Sequence, residues 1–83
     1  MAAPPELIDK YIEPDPHRPD DARLRKYGVS IWTLIGYWRD VVDRNVEQVA
    51  EDYEIPVEAV RAALAFYEQH RKLIDARLAL NAP

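Results

Sequence analysis

Ile31, Leu34, Ile35 and Trp38 recur at i, i+3, i+4 and i+7, the spacing of one helical face. Ser30, just before them, is a residue type that caps helices, its hydroxyl accepting a bond from an orphan amide of the first turn. The pattern predicts a helix from Ile31 to about Arg39, with Trp32 and Tyr37 on its flanks. Asn45 with Gln48 three residues on has the form of a capping box, and Val46, Val49, Ala50 and Tyr53 keep helical spacing after it, so a second helix should end near Tyr53. Pro56 suits the first position of a third, where its missing amide hydrogen removes no bond. From Val57 the chain has no Gly or Pro until Pro83 and is rich in good helix formers. Val57, Val60, Leu64, Tyr67, Ile74 and Leu78 form one stripe, widened by Ala63, Phe66 and Leu73. This predicts a single long helix to Leu80, about 36 Å from end to end. Arg71 interrupts the stripe, so the last turns are expected to leave the core.

The N-terminal third reads differently. Prolines at 14, 16 and 19 exclude a regular helix between Glu13 and Asp21, because each removes a donor and restricts the residue before it. This stretch is expected to be an extended arm. Glu6 to Ile12 has room for two turns of helix, with Leu7, Ile8, Tyr11 and Ile12 on one face. Gly28 punctuates a short extended piece from about Lys26 to Ser30. The expected organisation is a Pro-rich arm over 1–24 and a helical domain over 25–83, all-α in class with a short β segment near 25–30.

Length and charge narrow the functions. Eighty-three residues make one small domain, whose thin core favours a homo-oligomer or a docked partner. Lys plus Arg is 11 against 15 Asp plus Glu, a net charge of −4, which disfavours general binding to phosphate backbones. No cysteine is present, so disulfides, thiol catalysis and thiolate metal sites are excluded. No apolar run approaches the roughly 20 residues of a membrane span, and the start has no basic and apolar leader. The expectation is a cytoplasmic protein with no membrane segment.

Gln48 to Leu64 has the spacing of a helix-turn-helix: Ala50 permits close approach, Ile55 plugs the turn, and Val60 and Leu64 anchor the second helix. Glu54 departs from the glycine such turns often carry. A recognition helix here would offer Val57, Glu58, Arg61, Ala62 and Ala65, of which only Arg61 reads a base edge or grips a phosphate. Asp40 to Glu58 contains seven acids and one base, so phosphates are repelled. Those acids match no calcium loop and read as a solvated face. His17 and His70 lack the spacing of a zinc helix. Ser30 is the only serine and has no obvious base, and no Gly-rich phosphate loop exists. No enzyme, cofactor or metal is expected. Trp32 and Trp38 lie six residues apart, about 240° around a helix, so one ring should face the core and the other stand exposed. Trp32 is the candidate contact residue.

The stretches Gly28-Val29-Ser30-Ile31-Trp32-Thr33-Leu34-Ile35-Gly36-Tyr37-Trp38 and Val49-Ala50-Glu51-Asp52-Tyr53, continuing through Val60-Arg61-Ala62-Ala63-Leu64-Ala65-Phe66-Tyr67, resemble the bacterial family known as domain of unknown function 433. The resemblance implies a homeodomain-like helical fold entered through a short β segment, here at about 25–30. It also implies an antitoxin-like role beside a PIN-like ribonuclease toxin, with operator binding as the alternative. The Pro-rich arm differs from the family's more usual Gly-rich hairpin. A PIN-like nuclease holds metal ions with clustered acids, so an inhibitor would cover that site or place a basic side chain in it. Arg18, Arg23, Arg25 and Lys26 near the arm, and Arg71, Lys72 and Arg77 at the far end of the long helix, are the candidate contacts, with Trp32. Arg61 is the candidate for DNA.

Overall fold

Aliphatic side chains at helical spacing can be buried only if the helices turn back on one another, and the chain has the punctuation to do this. A computed structural model describes residues 5–81. The order is α1 (Pro5–Tyr11), β1 (Ile12–Glu13), a 3₁₀ turn (Pro19–Asp21), β2 (Arg23–Leu24), α2 (Ile31–Asp40), α3 (Val46–Tyr53), α4 (Val57–Gln69) and α5 (Arg71–Leu80). The described residues are mostly helical, with a short antiparallel ribbon pairing Ile12 with Leu24 and Glu13 with Arg23. No helix among the described residues is long and apolar enough to cross a membrane.

α4 is the central element. Ala59, Ala62 and Ala63 are fully buried on it, and their small side chains let α1, α2 and α3 all lie close. Val60, Phe66 and Tyr67 fill the space between. α2 contributes Ile31, Leu34 and Ile35, all buried, and α3 contributes Val49 and Ala50. Each large aliphatic side chain buried here is worth about 1.5–3 kcal/mol over exposure.

Several expectations change. The Pro-rich arm is anchored to the core: Ile12, Ala22 and Leu24 are buried with the helices, and Leu7, Ile8 and Tyr11 pack against them. The apolar positions flanking the prolines, not the prolines, decide where this segment lies. The strand falls at Arg23–Leu24 rather than 25–30, where Lys26 and Gly28 have φ of 73° and 69° and make a turn. Ser30 joins only through an isolated bridge to Arg23. Its hydroxyl makes no cap bond; its carbonyl accepts from Leu34 instead. The Asn45 cap is present, with Oδ1 accepting from the Gln48 amide at 3.0 Å, while the Gln48 side chain donates onward to Asp52. Pro56 caps α4 from just outside it.

The single long helix breaks at His70, whose φ of −129° and ψ of 34° fold α5 back. The molecule measures 29 × 29 × 25 Å, so an unbroken helix of about 36 Å would have stood out of it. Folding back buries Ile74 completely and brings Leu78 onto Gly36. The last turns therefore return to the core.

Between α3 and α4, Glu54 takes the left-handed conformation with φ 56° and ψ 47°. The Ile55 amide reaches back to the Ala50 carbonyl at 3.0 Å, closing a helix-ending turn with Ile55 buried behind it. A non-glycine residue in this conformation is strained by about 1–2 kcal/mol. Glu54→Gly is therefore expected to stabilise the protein by about 1 kcal/mol and raise the melting temperature by about 4–8 °C. A thermal melt with unchanged or lower midpoint would contradict this account of the turn.

Candidate interaction surface

The side chains read as partner contacts are divided by the structure into paired and unpaired groups. Asp15 starts the arrangement. Its Oδ1 accepts from the amides of His17 and Arg18, both at 2.9 Å, an Asx turn that reverses the Pro-rich segment. Those two backbone bonds hold the Asp15 carboxyl below its ordinary range. Pro19 then opens the 3₁₀ turn and presents Asp20 and Asp21 to α5. Arg77 Nη1 donates to Asp21 Oδ1 at 2.6 Å and to Asp20 Oδ2 at 3.1 Å. The Arg77 guanidinium also lies 4.7 Å from the centroid of the Trp32 ring. Arg18 flanks both acids at 3.4 and 3.5 Å but stays largely exposed.

Arg77, Trp32 and Arg18 are thus brought together, but around carboxylates of their own chain. Arg77 ties the N-terminal segment to α5, and Trp32 is the platform beneath it. Neither Trp ring stands free: Trp38 is half-buried, with Arg44 5.8 Å from its ring centroid. Arg71 pairs with Glu68 and lies over Tyr67. Arg25 reaches Glu13 at 3.8 Å, while Arg23, Lys26, Arg61 and Lys72 are exposed and make no ion pair among the described residues. Asp20 and Asp21 are the residues that sequence reasoning missed. Two adjacent acids after Pro19 were the available signal, but nothing in the linear pattern names Arg77 as their partner.

Burial opposes ionisation of Asp20, but the bond from Arg77, its own amide and the charges of Arg18 and Arg77 outweigh it, so its carboxyl titrates below 3.8. Its folded value is depressed, so its contribution is complete above about pH 4 and is lost as pH falls through the folded value. Asp20→Ala is expected to cost about 1–2 kcal/mol near neutral pH and less in acid. Urea denaturation at neutral and acid pH measures both, and an equal cost at both would contradict the ion-pair assignment.

Besides its basic Arg71 and Lys72, α5 leaves apolar side chains outside. Leu73 is 47% exposed and Leu80 83% exposed, and with Val41 they are the exposed large hydrophobic residues among those described. Leu73, exposed Ala76 and Leu80 are three and four residues apart, hence on one helix face. Lys72, four residues before Ala76, lies on the same side of α5, whereas Arg71 is on the opposite side against Glu68 and Tyr67. No known family model, curated protein or solved structure matches the chain.

The remaining features offer less. An open pocket of about 230 Å³ is lined by Glu13, Pro14, Asp15, Pro16, Asp21 and Arg23, and it is too shallow to enclose a ligand. Among the described residues no group of three His or acidic side chains is placed to hold a metal ion. The acids of α3 and its turn, Glu47, Glu51, Asp52 and Glu54, face solvent. On α4 the surface offered to DNA is smaller than the spacing predicts: Ala62 is fully buried and Glu58 accepts a bond from Tyr11 at 3.3 Å. α1 lies along this helix and covers part of it.

Proposed function

We propose that this chain is an antitoxin-like protein, homeodomain-like in fold and cytoplasmic, that binds and neutralises a partner protein through the outer face of α5. The observation that carries this reading is the exposed row Leu73, Ala76 and Leu80 with exposed Lys72 on the same side of the helix. An apolar row with a basic neighbour is suited to a protein surface bearing clustered acids, where charge guides approach and apolar burial supplies affinity. A PIN-like ribonuclease, with acids gathered around its metal ions, has that chemistry. Arg23, Arg25 and Lys26, on β2 and the turn after it, are the secondary contacts. Arg77 and Trp32 support α5 from within in this reading, and the partner meets the face they hold in place.

The test is co-expression with a PIN-like ribonuclease encoded beside the gene for this chain. A stable complex with suppressed RNA cleavage supports the reading. A nuclease that neither co-purifies nor loses activity overturns it.

A second reading, a dimeric helix-turn-helix regulator of its own operon, is favoured by the tight α3–α4 turn with its buried Ile55. It must rely on Arg61 as the exposed base of α4, beside an acidic α3. Binding to the DNA upstream of the gene is expected to be weak, unselective and strongly salt-dependent. Nanomolar binding with clear preference over random duplex would place regulation first.

A further inference from the structure

We infer that α5 is an exchangeable helix: its seat on α2 and the 3₁₀ turn accepts α5 from a second copy of this chain, with residues 57–80 straightened into one helix that links the two bodies. The break at His70 lacks any residue that demands it. Val57 to Leu80 contains neither Gly nor Pro, and Gln69, Arg71 and Lys72 around the hinge are good helix formers. The break also forfeits main-chain bonds. Within α5 the pattern restarts with the Ile74 amide on the His70 carbonyl. In a straight helix the amides of Arg71, Lys72 and Leu73 would reach the carbonyls of Tyr67, Glu68 and Gln69.

The contacts that hold α5 are of a transferable kind. Ile74 inserts into the core, Leu78 covers Gly36, Arg77 grips Asp20 and Asp21 over Trp32, and Asp75 accepts from Tyr67 at 2.7 Å. All are made by side chains of α5. Among the described residues no main-chain hydrogen bond joins α5 to α2 or to the 3₁₀ turn. A second copy supplies the same side chains, so an exchanged helix recovers every contact except the hinge. Geometry then selects the occupant. A straight helix of about 36 Å exceeds the 29 Å body, so its last turns cannot reach their own seat. Two copies related by a two-fold axis fill each other's seats, which is a closed, reciprocal exchange. The exposed row on α5 stays outermost, so this inference is independent of the partner named above.

The absence of cysteine makes a direct test available. A Cβ placed on Gly36 would lie 2.9 Å from Leu78 Cδ2, so positions 36 and 78 are neighbours wherever α5 is seated. Two differently tagged chains, one carrying Gly36→Cys and the other Leu78→Cys, are mixed, unfolded, refolded together and oxidised. The inference predicts a disulfide joining one chain of each kind, well above the statistical share. Only random pairings, or unlinked chains, would overturn it. A second measurement needs no cysteine. Light scattering at high micromolar concentration should find the natural chain dimeric, near twice 9.6 kDa. With two hinges per dimer, His70→Ala should bind its copy about 30-fold more tightly than His70→Gly, which disfavours the straight helix. Monomers for all three chains, or equal affinities for the two variants, would contradict the exchange.

Discussion

Ile74→Ala is expected to remove about 2–5 kcal/mol of stability, the range for truncating a fully buried isoleucine that leaves a cavity. Ile74 is the one buried residue of α5 and has no exposed surface. The rest of the docking depends on it. Leu78 is half-buried over Gly36, and the grip of Arg77 on the two acids requires α5 to lie close to α2. The cost therefore exceeds that of the missing methyl groups alone, and α5 should loosen before the α2–α3–α4 core unfolds. Urea denaturation measures the cost. A reduced dependence on urea would accompany it, because a loosened native state exposes less new surface on unfolding. A loss under about 1 kcal/mol would mean that α5 is not part of the packed core.

The second large effect is on binding. Leu73→Asp combined with Leu80→Asp should leave the chain folded at a cost of about 1–2 kcal/mol, because both side chains are exposed and neither fills a cavity, while Asp is the poorer helix former and opposes the dipole at the end of α5. On the proposed antitoxin reading, the same pair should weaken neutralisation of a PIN-like ribonuclease by about a hundredfold, since removing two central apolar side chains, at about 1.4 kcal/mol each, gives that factor. The new carboxylates would also meet the acids of the partner. Unchanged affinity in a folded double variant would move the contact surface to Arg23, Arg25 and Lys26, on β2 and the turn after it.

Helices α2 and α3 were legible because their apolar positions repeat at helical spacing and Asn45 or Pro56 mark boundaries beside them. The turn between α3 and α4 was legible as well, down to the unusual Glu54, which the structure holds left-handed without a glycine. The fold of the N-terminal segment was not. Proline correctly excludes long helix over 13–21, but Ala22 and Leu24 are single apolar residues with no period to reveal that they are buried. The break at His70 was equally hidden, because it follows from packing α5 against α2 and not from a local breaker. That break governs the candidate site. On a straight helix Leu73 widens the core stripe, whereas folding α5 back turns Leu73 outward and keeps the stripe residues Ile74 and Leu78 inward. Arg77 changes meaning by the same movement, from a free basic contact to the tie that holds Asp20 and Asp21. Gly36, in the middle of α2, was the one local sign that something approaches that helix closely.

Titration of a PIN-like ribonuclease encoded beside the gene with the natural chain, reading RNA cleavage at each ratio, tests the proposed function most directly. The account predicts that cleavage falls in proportion to added chain and ends at a fixed stoichiometric ratio. Full cleavage in the presence of a large molar excess of the folded chain would contradict it.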